Sequence, residues 1–449
     1  MSSIPLLVLL SVTAAGERLT LDRALALAAK RNADLLLAGA DKEAAAVELR
    51  GSYQGLLPRL DLSASFGHQY EGAQQQITVV PNSSPPPDFV RAPVTYPEND
   101  FAQYVLGVNL NWTFFDGLAS WRRIDASRSR SDAARRQLDE ASLRIAFEVT
   151  RRFYEVVRAQ RVLEVRRQAA ELSEELVKRA DALFAAGRGT KADTYSARVN
   201  LGSDRLAARS QGSAVTRAQS DLAVVLGLPP DAGLEVEPPE TLVGGRPPEQ
   251  EIPSLAELMA RALKRRPLLA SLKLSVEAAD LDIGQAQGAY WPTLSLQASY
   301  QKQTPVFGGT FGLFGSLSNQ SVALVQLSIG LNVFAGGETR AGVERAEVAA
   351  QRARVRLEQA EETVSAEVTE ARDQVATLTD ALSLAQENLT TAEQGLRFAR
   401  ERLEAGVGSQ LETRDAALKM AQARLDLAST VVDLVVARAD LNRSVGGAL

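Results

Sequence analysis

The sequence has no cysteine and only one histidine among its 449 residues. Without cysteine the chain cannot form disulfides, thiolate zinc clusters or a cysteine nucleophile. His68 is the one candidate for histidine-dependent catalysis, and no positioned nucleophile accompanies it. We therefore expect a protein that is not an enzyme, with no catalytic residues, no metal site and no cofactor.

An excess of one charge and long apolar runs are also missing. The 50 Lys and Arg residues are interspersed with 55 Asp and Glu residues, so we expect no nucleic-acid partner. No apolar run reaches the length of a membrane-spanning helix. The longest, at residues 4–12, has the length of the apolar segment of a signal peptide, and Val12-x-Ala14 fits its cleavage site, although no Lys or Arg precedes it. We assign residues 1–14 to a signal peptide.

The most informative feature that is present is an internal duplication. At an offset of 234 residues, the segment that begins near residue 20 matches the one that begins near 254. At an offset of 219, residues 115–227 match 334–446 without gaps, and Ala186-Gly187-x-Gly189 meets Ala405-Gly406-x-Gly408. The change of offset places one insertion in the loop between Phe66 and Tyr104. The first repeat therefore covers 15–228 and the second 254–449, joined by a Pro-, Gly- and Glu-rich linker at 229–253.

Each repeat begins with a predicted helix, at about 20–55 and 254–289, which ends before a proline. Two segments follow in which apolar and polar residues alternate, a pattern that predicts β-strands. These four strands are predicted at about 59–70, 103–115, 293–301 and 322–334. The residues expected on the apolar face are Leu62, Phe66, Leu106, Leu110, Leu296, Leu327 and Leu331. Those expected on the polar face are Asn109, Asn111, Ser295 and Asn332.

The ordinary interpretation of such strands is a soluble sandwich, but four strands and no others cannot supply two packed sheets. Their length, their alternation and the aromatic residues near their ends match strands of an outer-membrane barrel, with the apolar face toward lipid and the polar face toward the lumen. Four strands cannot close a barrel alone, since about eight is the practical minimum. We therefore expect a barrel shared between chains, for which eight, twelve or sixteen strands would all close.

After Gly117 and Gly336 the apolar period changes from two to seven, which predicts long helices with coiled-coil packing. Paired glycines then break each helix and let the chain turn back. The sequence thus predicts two helical hairpins, at 117–226 with its tip at 187–190 and at 336–445 with its tip at 406–409. The predicted fold is mainly α with β, a duplicated unit of helix, strand, strand and long helical hairpin.

The residues after the second hairpin glycine form a distinctive pattern. The glycine turn at 406–408 is followed by the polar residue Ser409 and then by two acids three residues apart, Glu412 and Asp415, before Ala416. Together with the duplicated architecture, this pattern resembles the TolC family of outer membrane efflux proteins over essentially the whole chain after the signal segment. The first repeat keeps Gly187 and Asp193 but lacks the second acid.

The resemblance implies a homotrimer whose chains share a twelve-stranded barrel and an α-helical tunnel. Such a trimer is the passive exit duct of a tripartite efflux or type I secretion system in the outer membrane of a Gram-negative bacterium, with its helices in the periplasm. The partners implied are the outer membrane lipid, a periplasmic adaptor (a membrane fusion protein), and an inner-membrane pump of the RND, ABC or MFS type. The alternative is a trimeric coiled-coil spacer or adaptor of the cell envelope with no pore.

The resemblance also implies two sets of functional residues. Asp193, Glu412 and Asp415 would form the gate of the periplasmic aperture, although carboxylates near a helix N-terminus are favourable without any such role. The tips would dock the adaptor through the residues of the two turns, Gly187, Arg188, Gly189, Thr190, Gly406, Val407, Gly408 and Ser409.

Overall fold

A computed structural model describes residues 18–81, 89–238, 252–317 and 321–447. The signal segment expected at 1–14 lies outside these ranges, as does most of the expected linker. The described residues form two compact units. The sheet unit comprises Ala46–Ser129 and Glu277–Arg352, and the helical unit comprises the remaining described residues.

The same order of elements occurs in both repeats. The first contains α1 (Leu21–Arg31), α2 (Ala33–Ser52), a 3-10 turn (Tyr53–Leu56), β1 (Arg59–Glu71), β2 (Gln74–Pro81), β3 (Phe89–Tyr96), β4 (Asn99–Asp116), α3 (Ala119–Ala185) and α4 (Lys191–Val225). The second contains α5 (Leu255–Arg265), α6 (Pro267–Gln287), a 3-10 turn (Gly288–Tyr290), β5 (Thr293–Thr304), β6 (Ser321–Gly330), α7 (Glu338–Glu404) and α8 (Gln410–Ser444). The predicted class, mainly helical with a duplicated unit of helices and strands, is confirmed.

The first helix of each repeat is interrupted, whereas the sequence pattern predicted one continuous helix. Asn32 separates α1 from α2, and Arg266, its equivalent in the repeat, separates α5 from α6. The Asn32 amide donates to the carbonyl of Val225 at 2.8 Å, and the Arg266 guanidinium donates to the carbonyl of Ser444 at 3.0 Å. The prediction was wrong because a polar side chain at the break satisfies the last carbonyl groups of a return helix, which have no partner in their own helix.

Strands β1, β4, β5 and β6 form one antiparallel sheet in that order. Leu60 lies opposite Leu110, and the equivalent residue Leu294 lies opposite Ile329, so the two repeats pair their strands in the same register. Because side chains alternate along a strand, this register gives the sheet one apolar and one polar face. The apolar face carries Leu60, Leu62, Phe66, Leu106, Val108, Leu110, Leu296, Tyr300, Val325 and Leu327. The polar face carries Asp61, Ser63, Asn109, Asn111, Ser295, Gln297, Ser299, Gln326 and Ser328.

The insertion of the first repeat contains two strands that the sequence analysis did not predict. β2 and β3 pair only with each other, as a separate antiparallel ribbon. The expectation of a loop, and of four strands and no others, was wrong because β-branched residues such as Ile77, Val79 and Val94 favour strands even in a proline-rich stretch. Pro93 is tolerated because a two-stranded ribbon has an open edge, where a missing N–H breaks no ladder.

Strand β6 is shorter than predicted, ending at Gly330 and not near residue 334. Its last partner is Thr293, the first residue of β5. Leu331 and Asn332 therefore lie beyond the strand and have no partner strand among the described residues. Val333 and Phe334, which follow them, are 88% and 86% exposed.

The helical unit has one apolar cluster for each repeat. The heptad residues Val149, Val156 and Val368 are fully buried in these clusters. Toward the tip, in contrast, Leu411 and Leu418 of α8 are 76% and 47% exposed, so the predicted seam of this return helix does not extend to the turn within one chain. In the described ranges we find no helix that is both long and apolar enough to cross a membrane.

Candidate functional site

Each hairpin turns at a glycine whose backbone is left-handed. The φ angle is 68° at Gly187 and 76° at Gly406. In the first tip the N–H of Arg188 donates to the carbonyl of Leu183 at 2.9 Å, and Val407 makes the same bond in the second tip. This is the hydrogen bond that closes a helix when a left-handed residue follows it. The space around both glycines is open, so the backbone angle and not crowding is what requires glycine.

The return helix of the first hairpin begins with a reciprocal cap. Thr190 Oγ1 accepts a hydrogen bond from the N–H of Asp193 at 3.2 Å, and the Asp193 carboxylate accepts from the N–H of Thr190 at 3.0 Å. The hydrogen bonds from the Thr190 hydroxyl and N–H hold the pKa of Asp193 below its ordinary value. Asp193 thus has a structural role within its own tip.

The two acids of the second tip pair with cations of their own hairpin. Ser409 caps α8 by accepting from the N–H of Glu412 at 3.0 Å. The Glu412 carboxylate lies 3.2 Å from Arg402 Nε, and the Asp415 carboxylate lies 2.8 Å from Lys419 Nζ. The sequence analysis missed both cations, although the four-residue spacing of Asp415 and Lys419 on one helix face was a usable signal.

One of the three predicted gate acids lines a cavity near the tips. A cavity of 230 Å³ lies between the tips of the two hairpins. Asp193 lines it from α4, and Leu411 and Arg414 line it from α8. Glu412 and Asp415 are not among its lining residues.

A larger groove, of 580 Å³, begins beside this cavity and runs between the two hairpins. Its apolar floor is lined by Leu172, Leu176, Leu396, Ala417, Leu418 and Met420. Its charged rim carries Glu393, Arg397, Arg400, Glu401, Glu404, Arg414 and Arg424. The sequence could not reveal this groove because the register between the two hairpins decides which residues line it.

The apolar face of the sheet is open to solvent in the single chain. Leu62, Phe66 and Leu327 are 73%, 85% and 62% exposed. A contiguous apolar surface of this kind marks contact with a membrane or another protein. The other face carries mostly Asn, Gln, Ser and Asp side chains, with Val322 and Leu324 near the start of β6. The two faces therefore require different surroundings.

The sheet unit also contains the single histidine. His68 Nδ1 lies 2.9 Å from an Asp100 carboxylate oxygen, and both side chains are more than half exposed. Within the described ranges, no three histidine or acidic side chains are arranged to hold a metal ion.

The sequence matches those of known proteins over both repeats. The family profile described as outer membrane efflux protein matches residues 24–228 and 258–447. The chain is 21% identical to the outer membrane efflux protein BepC of Brucella suis over 342 residues, which cover 76% of this chain and 72% of BepC. It is 26% identical to protein CyaE of Bordetella pertussis over 359 residues, which cover 77% of this chain and 73% of CyaE.

The fold is also found among solved structures. The open state of the MtrE outer membrane channel of Neisseria gonorrhoeae superposes with a TM-score of 0.77 at 20% sequence identity, covering 95% of this chain and 89% of MtrE. These findings confirm the resemblance to the TolC family that the tip residues indicated. Since the family profile spans both repeats and the fold agrees with it, the chain belongs to the outer membrane efflux protein family.

Proposed function

We propose that this protein is a homotrimeric channel in the outer membrane of a Gram-negative bacterium, with its helical unit in the periplasm. The channel is the passive exit duct of an efflux or type I secretion system. The observation that carries this proposal is the four-stranded sheet, which has one exposed apolar face and one polar face, and whose two edge strands have no further partner among the described residues. When several chains close their sheets into one barrel in lipid, the edge strands gain hydrogen-bond partners. The apolar face then contacts the lipid chains.

Twelve strands from three chains are consistent with both the physics and the family. Eight strands are the practical minimum for a barrel. Since each chain supplies four strands, two or more chains supply enough. Membership of the efflux family favours three chains among these solutions. With six hairpins around one axis, the helical units of three chains would form a tunnel.

The partners of the duct follow from the passive conduction that we propose for it. We infer that an inner-membrane pump drives the transport and that a periplasmic adaptor joins the pump to the hairpin tips. The tips suit this contact because their exposed residues, such as Val407 at 69%, are held on a rigid turn. The transported substrate would then be the one that the pump selects.

Conductance and extraction test the proposed channel directly. The purified protein should be extracted from outer membranes only with detergent, migrate as a heat-sensitive trimer and open pores in a planar bilayer. The alternative, a coiled-coil spacer with a soluble β-domain, predicts extraction without detergent and no conductance. A trimer that conducts no ions under any condition would overturn the proposed duct.

The adaptor contact is testable at the tips. Arg188→Glu and Val407→Asp should abolish cross-linking to the adaptor and export, while leaving the trimer and its conductance unchanged. Val199→Asp is a matched control, since Val199 lies on α4 away from the turn and is 71% exposed. Normal export by both tip variants would contradict docking at the tips.

We also propose that Asp193, Glu412 and Asp415 surround the aperture of the trimer. Three-residue spacing puts Glu412 and Asp415 on one side of α8, so three chains would stack two rings of carboxylates, which attract cations. The ion pairs with Arg402 and Lys419 reduce the net charge of these rings.

Bilayer recordings on selected variants test this gate. Glu412→Ala combined with Asp415→Ala should lower cation selectivity and remove block by multivalent cations, whereas Arg402→Gln with Lys419→Gln should raise the selectivity. Glu362→Ala, an exposed acid of α7 far along the chain from the tip, is the control. Unchanged selectivity in both double variants would show that these acids only stabilise the end of a helix and do not act as a gate.

A further inference from the structure

The loop between β5 and β6 is rich in glycine and in large apolar side chains. No Asp, Glu, Lys or Arg occurs between Lys302 and Glu338. An exposed apolar surface marks contact with a membrane or another protein. In the described part of this loop, residues 305–317, the large apolar side chains that are at least half exposed are Val306, Phe307, Phe311, Phe314 and Leu317.

The loop folds back onto the apolar face of the main sheet. Tyr300 and Lys302 of β5 lie on this face, because they are opposite Val108 and Leu106 of β4. The Tyr300 hydroxyl donates to the carbonyl of Leu317 at 2.7 Å. The end of the loop is thus fastened to the face that we propose to be in contact with lipid.

Two polar side chains of β5 are buried beneath the loop. Lys302 is 0% exposed and Thr304 is 1% exposed. Lys302 Nζ donates to the carbonyl of Ser316 at 2.7 Å, and Thr304 Oγ1 donates to the carbonyl of Phe311 at 2.9 Å. An ammonium group on a lipid-facing strand is unfavourable unless it has polar partners. The loop supplies carbonyl groups to these side chains and turns apolar side chains outward.

The register of the sheet shows at which level the loop lies. Thr304 is opposite Tyr104, and Tyr104 is opposite Phe66, so these three residues form one row on the apolar face. One row further along β1 lies His68, which pairs with a carboxylate. The ring of Phe307 lies 5.4 Å from that of Tyr104. The loop therefore lies at the end of the apolar band, the level at which barrels concentrate aromatic residues.

Many backbone polar groups of the loop have partners within the protein. The N–H of Leu313 donates to the carbonyl of Phe307 at 3.0 Å, and the N–H of Ser316 donates to the carbonyl of Thr310 at 2.9 Å. A Cβ at Gly315 would collide with the carbonyl oxygen of Thr310, so glycine permits this close folding. Irregular backbone at membrane depth requires such internal partners, because lipid chains offer none.

We propose that residues 305–317 form a membrane-embedded loop whose exposed aromatic side chains contact lipid chains at the extracellular end of the barrel. This inference rests on the proposed channel and extends its lipid contact beyond the strands. Lipid is the occupant because the loop is uncharged and continues the apolar face of the sheet. The corresponding connection of the first repeat contains the β2–β3 ribbon instead, so each chain contributes one such loop.

Because the chain has no cysteine, single cysteines can carry an environment-sensitive fluorophore without background. We would label Phe311→Cys and Phe314→Cys in the full assembled chain, reconstituted in phosphatidylcholine vesicles. A nitroxide near the top of the lipid chains should quench both labels about threefold more than aqueous iodide does, since interfacial side chains lie at the boundary of headgroups and acyl chains. Each position reports on its own, so a variant that fails to assemble leaves the other to decide.

Two matched variants calibrate the measurement. Val325→Cys, on the apolar face of β6 and 74% exposed, should be quenched most by a nitroxide deep in the lipid chains. Gln303→Cys, which is exposed on the polar face of β5, should be quenched by iodide and not by either lipid.

The outcomes separate the loop from the channel. Quenching of the loop labels by iodide alone, with Val325→Cys quenched by lipid, would overturn the embedded loop and leave the proposed channel standing. Protection of the loop labels from every quencher would show that protein covers the loop, and would overturn the inference equally. If Val325→Cys also escapes both lipid nitroxides, the lipid face of the sheet is wrong and the proposed channel fails together with the loop.

Discussion

The two repeats share a backbone and differ in the side chains that fix it. At the interrupted first helix, the first repeat uses Asn32. Its side-chain oxygen accepts a hydrogen bond from the N–H of Leu35, and its side-chain nitrogen donates one to the carbonyl of Val225. The second repeat uses Arg266, whose side chain is 2% exposed and lies 2.9 Å from Glu140 and 3.2 Å from Glu367. A neutral amide can be satisfied by the backbone alone, whereas a buried guanidinium needs carboxylate partners.

The tips differ in the same way. Asp193 of the first tip accepts hydrogen bonds from Thr190 three residues earlier, while Glu412 of the second tip pairs with Arg402 of the preceding helix. In both places the first repeat uses hydrogen bonds without an ion pair, and the second uses ion pairs between helices. Duplication has kept the geometry and changed the chemistry, so the two repeats should respond differently to equivalent mutations.

The largest difference is expected at the helix break. Arg266→Met leaves Glu140 and Glu367 without their buried cation and should lower the free energy of unfolding by about 3–5 kcal/mol. Asn32→Ala leaves a carbonyl and an N–H unsatisfied and should cost about 1–3 kcal/mol. Thermal unfolding of the purified protein, followed by circular dichroism, measures both. Arg265→Met, at the exposed neighbouring position, is the control. Equal losses at Asn32 and Arg266 would contradict the comparison.

The sheet should show the opposite behaviour, with the two repeats responding alike. Leu110→Arg and its equivalent Ile329→Arg, on the proposed lipid face, should each cost about 2–4 kcal/mol and impair assembly. Asn109→Arg and Ser328→Arg, on the proposed lumen face, should be tolerated. Heat-modifiable migration of the assembled protein is the readout. Similar sensitivity of both faces would rule out the barrel.

The tip glycines should also behave alike. Gly187→Val and Gly406→Val place a β-branched residue at positive φ and should each cost about 1–2 kcal/mol, confined to the turn. Export should be lost while the oligomer persists in the outer membrane. Gly202→Val, at an open position inside α4, is the control and should export normally. Loss of the oligomer in the tip variants would assign these glycines to folding and not to docking.

The smallest effect concerns the cap of the first tip. Hydrogen bonds from Thr190 lower the pKa of Asp193 in the folded state. Their stabilising contribution is therefore fully present above the ordinary value of 3.8 and is lost as the pH falls through the lower folded value. Thr190→Ala should flatten the dependence of thermal stability on pH below about 4. Ser409→Ala removes the equivalent hydroxyl without a reciprocal carboxylate bond and serves as the control. An unchanged profile for Thr190→Ala would show that the cap contributes nothing.

Much of the fold could be predicted because its signals are local. Period-two alternation predicted the four strands of the main sheet, and the heptads predicted the hairpins. The errors arose where a contact with a distant segment decided the local structure. Asn32 interrupts a helix because the end of α4 needs a donor, and β6 stops at Gly330 because its neighbour β5 begins at Thr293.

The features of the candidate site likewise fall into two groups, those set by the local sequence and those set by contacts between distant segments. The sequence by itself determined the turning glycines, the capping hydroxyls and the acids near them, because each depends on backbone angles or hydrogen bonds within a few residues. Only the tertiary structure decided that Arg402 neutralises Glu412, that Arg266 is buried between two carboxylates, and that an apolar groove separates the hairpins. These features depend on the register between helices far apart in the chain. Heptad patterns repeat every seven residues and are compatible with several such registers, so packing must select one.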